Sequence, residues 1–245
     1  LRAERYDLAI DMKTSLLPIL IGAKNRSGLF PGNKSGIKHK RLIHLDSLRL
    51  FGIIYKEQKN IYIDDGSRDK IEKILQDSGV KHADILIGVS PGSRSHLKQW
   101  KKEGFVDVIS NILENPRHKV ILIGDINEAG LSKEIAGAVN PVRERSSLTV
   151  YADGGIKPPS VSEGNDRRLK SAAFSNGVKH PGLIDLTGKT SLNELFALIE
   201  KFSLLLTCDS AGMHIASDLG VKVVAIFGPT DPNEYGPAGD KDIVI

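Results

Sequence analysis

Along most of the chain, short apolar runs alternate with segments whose apolar residues recur at helical spacing. Residues 7–11, 61–63, 85–89, 120–123, 204–207 and 223–227 read as strands, and so do the closing residues Asp242, Ile243, Val244 and Ile245. Residues 42–51, 68–76, 103–113, 131–138, 191–202 and 213–219 read as helices. Ser191 followed by Glu194 is a capping box, which fixes one helix start, and Ser67 and Gly79 bracket another as cap and stop. Strand and helix in regular alternation predict βα units and a parallel sheet, hence an α/β protein.

The turn-rich stretch 80–84 predicts a division of the chain into residues 1–82 and 83–245. Residues 140–182 break the rhythm with Pro141, Gly154-Gly155, Pro158-Pro159, Gly164, Gly177 and Pro181-Gly182. A stretch that long without a period is either a surface insertion, with a short helix at 167–174, or a lid. The insertion is the preferred reading.

Composition narrows the class. At 245 residues, 40% hydrophobic and 26% charged, the chain has the make-up of an ordinary globular protein. A single cysteine, Cys208, excludes an internal disulfide framework and fits a reducing compartment. The longest apolar run, residues 16–23, is interrupted by Pro18 and far shorter than the roughly 20 residues a membrane-spanning helix needs. The opening Leu1-Arg2-Ala3-Glu4-Arg5 reads as the middle of a helix, so the expectation is a piece of a longer protein.

Charge is unevenly spread. Residues 1–82 carry 16 basic and 10 acidic side chains, and residues 83–245 carry 18 and 20. The excess concentrates between Lys24 and Arg49, most densely at Lys34, Lys38, Lys40 and Arg41 with His39 beside them. Such a cluster is either a solvated face or a patch for a phosphorylated partner or an anionic membrane surface. Nucleic acid is the weakest option, because no aromatics are interleaved for base stacking.

Three strand ends lead into loops of small residues. After 204–207 comes Cys208-Asp209-Ser210-Ala211-Gly212-Met213-His214, a turn that opens a helix. Such a turn offers backbone N–H groups and the positive end of a helix dipole to a phosphate. The competing reading makes Asp209 or Ser210 a plain N-cap and His214 a core histidine. Phe227-Gly228-Pro229-Thr230-Asp231-Pro232 forms a rigid loop at the same edge of the sheet. Ser90-Pro91-Gly92-Ser93 is the third loop, followed by Lys98, a point charge suited to phosphate or merely solvated, and by Trp100. Other readings fail. Gly188-Lys189-Thr190 echoes a P-loop, but Leu183 stands where glycine is needed, and the scattered histidines give no metal-ligand spacing.

Asp185-Leu186-Thr187-Gly188-Lys189-Thr190-Ser191-Leu192, then Asp209-Ser210-Ala211-Gly212-Met213-His214, then Phe227-Gly228-Pro229-Thr230-Asp231-Pro232, resembles the ADP-heptose:lipopolysaccharide heptosyltransferases. Pro91-Gly92-Ser93 with Lys98 and Trp100 is similar to the start of that family's donor domain, and Tyr6-Asp7-Leu8-Ala9-Ile10-Asp11 to a strand of its N-terminal domain. The resemblance implies two Rossmann-like domains facing a cleft (the GT-B arrangement). The first, acceptor-side domain is incomplete here, and residues 83–245 form the nucleotide-sugar donor domain. It implies inverting, metal-independent transfer of heptose to the lipopolysaccharide inner core, with no cofactor. The acceptor would be lipid A–Kdo or a heptosylated core, and the protein would work in the cytoplasm on the inner face of the inner membrane.

By the same resemblance, Ser93 and Lys98 contact the donor diphosphate, and Asp209, Ser210, Ala211 and Gly212 hold it at the helix start with His214 close by. The main chain around Thr190 lies beside adenine, and Glu128 accepts from the ribose hydroxyls. Lys38, Lys40 and Arg41 form the acceptor or membrane patch. The chain departs from the family at Ala211, where glycine is usual, at Gly212, where proline or leucine is usual, and at Lys101, often proline. The family's general base precedes Leu1, so no catalytic residue is assigned and residues 1–245 alone are expected to be inactive. Two alternatives are a transferase for another nucleotide sugar and a catalytically inactive nucleotide-binding module.

Overall fold

The computed structural model describes residues 6–11, 17–26, 39–49, 52–53, 61–139 and 180–245. Lys34, Lys38 and all but the last three residues of the 140–182 stretch lie outside them.

Near the start of the chain, β1 (Leu8–Ala9) and β2 (Asn25–Arg26) pair in parallel, with the short helix α1 (Leu17–Leu20) between them. Helix α2 (Lys40–Arg49) follows, then α3 (Asp65–Asp77). The rest is a six-stranded parallel sheet. In chain order its elements are β3 (Ile85–Ser90), α4 (Lys102–Ile112), β4 (His118–Leu122), α5 (Ala129–Ala138), β5 (Leu183–Asp185) and α6 (Leu192–Glu200). These are followed by β6 (Leu204–Cys208), α7 (Ala211–Asp218), β7 (Lys222–Ile226), α8 (Pro232–Tyr235) and β8 (Ile243–Val244). Every ladder is parallel, as the strand–helix alternation predicts.

Alternation along the strands sorts side chains onto two layers. Ile121, Leu205, Val223 and Ala225 face α3, α6 and α7, packing with Ile71, Leu75, Leu198, Phe202 and Met213. Val120, Leu122, Leu206 and Cys208 face the opposite way, onto Phe105 and Ile109 of α4 and Ile135 of α5. With both faces covered, the central strands read as continuous apolar runs.

The spatial order is β5-β4-β3-β6-β7-β8. Successive strands from β3 step one way to β5, and the chain then returns to β6 beside β3 and steps the other way. That arrangement makes the β3/β6 boundary a topological switch point, where loops leave the carboxyl edge in opposite directions and open a crevice.

Several local expectations are met and others corrected. Ser191 and Glu194 form the reciprocal capping box. The cap of α3 is Asp64 rather than Ser67, whose own N–H and hydroxyl donate to the Asp64 carboxylate at 2.7 and 2.8 Å. Residues 61–63 are not a strand. They run into α3 with Ile63 buried and Tyr62 exposed, so the alternation records one-sided burial without a pairing partner.

The predicted division at 82/83 cuts the connection between α3 and β3. Ile71 and Leu75 of α3 lie in the same apolar cluster as the sheet. Arg68 forks onto Glu200 with two bonds of 3.0 Å, Lys70 reaches Glu194 at 2.6 Å, and Lys201 reaches Glu72 at 2.6 Å. By packing, α3 belongs with the residues that follow it.

Candidate functional site

Three loops meet at the carboxyl edge of β3, β6 and β7, and Asp209 is where they join. Its carboxylate Oδ2 accepts from the Lys98 ammonium at 2.7 Å and from the Thr230 hydroxyl at 2.8 Å. Its carbonyl accepts from the Ser93 hydroxyl at 2.9 Å. Lys98 reaches inward because residues 96–98 form a 3-10 turn just beyond β3. The β7 loop packs close against that turn, since a Cβ at Gly228 would lie 2.9 Å from the Leu97 carbonyl oxygen. Glycine is required there if the two loops are to touch.

These contacts revise the expected roles. Asp209 is only 9% exposed and its charge is turned onto Lys98. Ser93 is buried and its hydroxyl is directed at Asp209. Ser210 pairs with the Thr207 hydroxyl at 3.0 Å and makes no side-chain bond to the first turn of α7, which removes the plain N-cap reading. Gly212 has ordinary space around it, 3.7 Å to the nearest side-chain oxygen from an added Cβ. A Cβ therefore fits there without a backbone change.

Behind this layer, Cys208 is buried, with the Trp100 N–H donating to its sulfur at 3.3 Å, and burial pushes its thiol pKa up. Trp100 packs edge-on against Phe105 with ring centroids 5.2 Å apart. Both are supports of the loop.

Glu128 stands at the mouth of β4. It closes a capping box with Asp125, accepting from that residue's N–H at 3.0 Å. Its carboxyl lies against Gly92 and Gly124, and a Cβ at Gly92 would overlap it, so the small-residue loop after β3 makes room for this acid. Burial raises its pKa, with the Asp125 charge adding to the effect and the Asp125 N–H opposing it. The adjoining turn that carries Thr190 is tied to the same place by the Gly188 N–H, which donates to the Gly124 carbonyl at 2.9 Å.

On the other side of Lys98, a cleft of about 280 Å³ separates α2 from α7 and α8. Residues 39–41, His214, Asp218, Glu234 and Tyr235 line it. The Arg41 guanidinium binds Asp218 at 2.7 Å, and the Lys40 ammonium lies 3.5 Å from Glu234. Both were read as partners for an external anion, and both instead meet carboxylates of this chain. Loss of solvent lowers the His214 pKa, with Asp209 and Asp218 opposing the shift and His39 and Arg41 adding to it.

Sequence reasoning thus named Lys98, Asp209 and His214, which the fold gathers at one edge, and Glu128 and Thr190, which it places on adjoining loops. It missed Thr230 as a partner of Asp209, although the residue stands in a loop already singled out. Tyr235 and Asp218 carried no local signal, since only the fold juxtaposes them, and His39 stood out only as a neighbour of the basic run.

Comparison with known proteins agrees with this architecture. Residues 164–245 match glycosyltransferase family 9 (heptosyltransferase). The chain is 25% identical over 251 residues to lipopolysaccharide heptosyltransferase 3 of Escherichia coli, covering 94% of this chain and 61% of the relative. It is 40% identical over 62 residues to lipooligosaccharide heptosyltransferase 2 of Haemophilus influenzae, 25% of this chain and 18% of the relative. The chain therefore spans less than two thirds of either relative's length. Among solved structures, the E. coli ADP-heptose lps heptosyltransferase II superposes with a TM-score of 0.66 at 19% identity, over all of this chain and 69% of that one. A glycosyl transferase of family 9 from Veillonella parvula gives 0.67 at 21% identity, over 98% and 62%. The α/β fold with parallel sheets is that of these GT-B structures, and the chain is similar to the heptosyltransferases of glycosyltransferase family 9.

Proposed function

We propose that the intact protein is a glycosyltransferase that moves heptose from ADP-heptose to the lipopolysaccharide inner core, with inversion and without a metal ion. The observation that carries this reading is the Lys98 ammonium, held at the switch point of the sheet by Asp209, whose carboxylate also accepts from Thr230, beside the first turn of α7, which no side chain caps. A fixed cation and a helix N-terminus together suit a diphosphate, and they stabilise the charge that builds on it as the sugar departs. Lys98 and the main chain of residues 210–212 bind the diphosphate, and His214 adjoins it. Ser93 and the Asp209 carboxylate act through position, one by bracing the turn and the other by aiming Lys98.

The nucleoside runs the other way along the carboxyl edge. Glu128 receives the ribose hydroxyls with the oxygen its capping bond leaves open, and the turn at Thr190 borders the adenine. An acid at the end of the second strand of such a unit is where a ribose is read. Inversion requires a general base on the acceptor hydroxyl, and we assign that role to none of residues 1–245. We place the start of the donor unit before residue 61, because α3 is buried on its sheet. The acceptor is a lipid A–Kdo or heptosylated core presented at the cytoplasmic leaflet.

Transfer by the intact protein from ADP-heptose to a lipid A–Kdo or heptosylated acceptor, followed by mass spectrometry, tests the reaction. Titration with ADP, UDP and GDP tests the base. ADP is expected to bind most tightly, and tighter binding of UDP contradicts the donor assignment.

A further inference from the structure

The loop that carries Lys98 is buried at its base and exposed along its span. Pro91, Gly92 and Ser93 are buried where it leaves β3, and residues 94–99 are exposed or half-buried. At its far end the Trp100 ring packs edge-on against Phe105, and a Cβ at Gly104 would lie 2.5 Å from it, so the first turn of α4 is shaped around the indole. Within the span, the Gln99 side chain donates to the Ser93 carbonyl at 3.1 Å, and the Lys98 N–H to the Ser95 carbonyl at 3.0 Å. An ammonium on a flexible four-carbon stem stands where its backbone lets it stand. The placing of Lys98 therefore depends on how this loop is closed.

Both ends of the loop meet one atom. The Cys208 sulfur accepts from the Trp100 N–H at 3.3 Å and donates to the Pro91 carbonyl at 3.7 Å. A thiol can serve both because it carries a weak donor and a weak acceptor on the same atom. Cys208 is fully buried, in the apolar cluster that holds Val89, Phe105 and Leu206. Burial raises its pKa, against the Trp100 N–H and with the charges of Glu128 and Asp209, so the sulfur keeps the proton that the Pro91 carbonyl accepts. A buried thiol of raised pKa is a poor nucleophile, and reactivity does not account for a cysteine at this point.

The next residue completes the hold. Asp209 takes the Ser93 hydroxyl on its carbonyl and the Lys98 ammonium on its carboxylate. Two neighbouring residues thus govern the lysine, one holding its charged end and the other closing the loop from which it reaches. We infer that Cys208 is a positioning residue for the donor diphosphate: its thiol closes the 91–100 loop and so sets where the Lys98 ammonium stands. The inference rests on the donor reading proposed above, and it adds a residue that touches no substrate.

Isothermal titration of the intact protein with adenosine and with ADP, alongside thermal melting, compares wild type with Cys208→Ser and Cys208→Val. Serine keeps a donor and an acceptor but is ill-suited to an apolar pocket, whereas valine suits the pocket and the strand and keeps neither. The readout is the ratio of ADP to adenosine affinity within each variant, so a general effect on folding cancels. Cys208→Val is expected to lower that ratio by about fivefold while melting close to wild type. Cys208→Ser is expected to keep most of the ratio while melting lower. Added to Lys98→Met, Cys208→Val is expected to change the ratio no further, because it acts through that lysine. An unchanged ratio in Cys208→Val overturns the inference. So does a ratio that follows the melting temperature and is lowest in Cys208→Ser, or a further fall in the Lys98→Met background. Wild type that binds ADP no more tightly than adenosine shows separately that the donor reading is wrong, and the positioning role falls with it.

Discussion

Two sets of ion pairs lie on the six-stranded sheet and its helices, and they differ in where the charge ends up. On the α3–α6 face, Arg68 and Glu200 pair with 42% and 40% of their side chains exposed. At the strand ends, Asp209 is 9% exposed and shares one oxygen between Lys98 and Thr230. Water screens the first set and each partner remains solvated, so it trims the docking of a helix already held by Ile71 and Leu75. The second set is shielded, so its geometry is costly to disturb and its cation is fixed in place. Similar residue types therefore do unlike work: one set dresses a packed surface, the other aims a charge at a crevice.

The largest effect is expected where the shielded pair is broken. Asp209→Asn keeps the shape but removes the charge that orients Lys98, and ADP affinity should fall by at least about tenfold, since bonds to charged groups are worth roughly 1.5–3 kcal/mol. Thr230→Val, which removes only the second donor, should cost a few-fold. Equal losses from the two variants would remove the distinction drawn between the ion pair and its neighbour. Isothermal titration and thermal melting of each variant separate affinity from folding.

The exposed set should respond to pH and hardly to substitution. Arg68→Ala should leave ADP affinity unchanged and shift the melting temperature slightly. Arg68 lowers the pKa of Glu200, and Lys201 lowers that of Glu72, each from an ordinary 4.5. Below that value the unfolded chain binds more protons than the folded one, so this contribution is whole above about pH 4.5 and is lost as pH falls through the lowered values. A melting temperature that falls on acidification in wild type, and falls less in Arg68→Ala, is the expected pattern. Identical acid profiles for the two proteins would show that the exposed pairs contribute nothing.

The same contrast explains what the sequence disclosed. The central strands β3, β4, β6 and β7 were legible because burial on both faces writes a continuous apolar run. The edge strand β5 has only three residues, Leu183–Asp185, too few to show a period. The alternation at 61–63 was misread because Ile63 is buried by the α3 approach and not by a paired neighbour. At the site, Lys98 and Asp209 were legible as residue types in small-residue loops, but not as partners, since 111 positions separate them. Lys40 and Arg41 misled for the complementary reason. A run of basic residues says nothing of the carboxylates that the fold brings opposite it, and here those are Glu234 and Asp218.

The central claim is that Lys98, aimed by Asp209, holds the donor diphosphate at the β3/β6 switch point. Its most direct test is isothermal titration of the intact protein and its Lys98→Met variant with adenosine and with ADP. Wild type is expected to bind ADP far more tightly than adenosine, and Lys98→Met to abolish most of that difference while leaving adenosine binding as it was. An ADP preference that survives intact in Lys98→Met would contradict it.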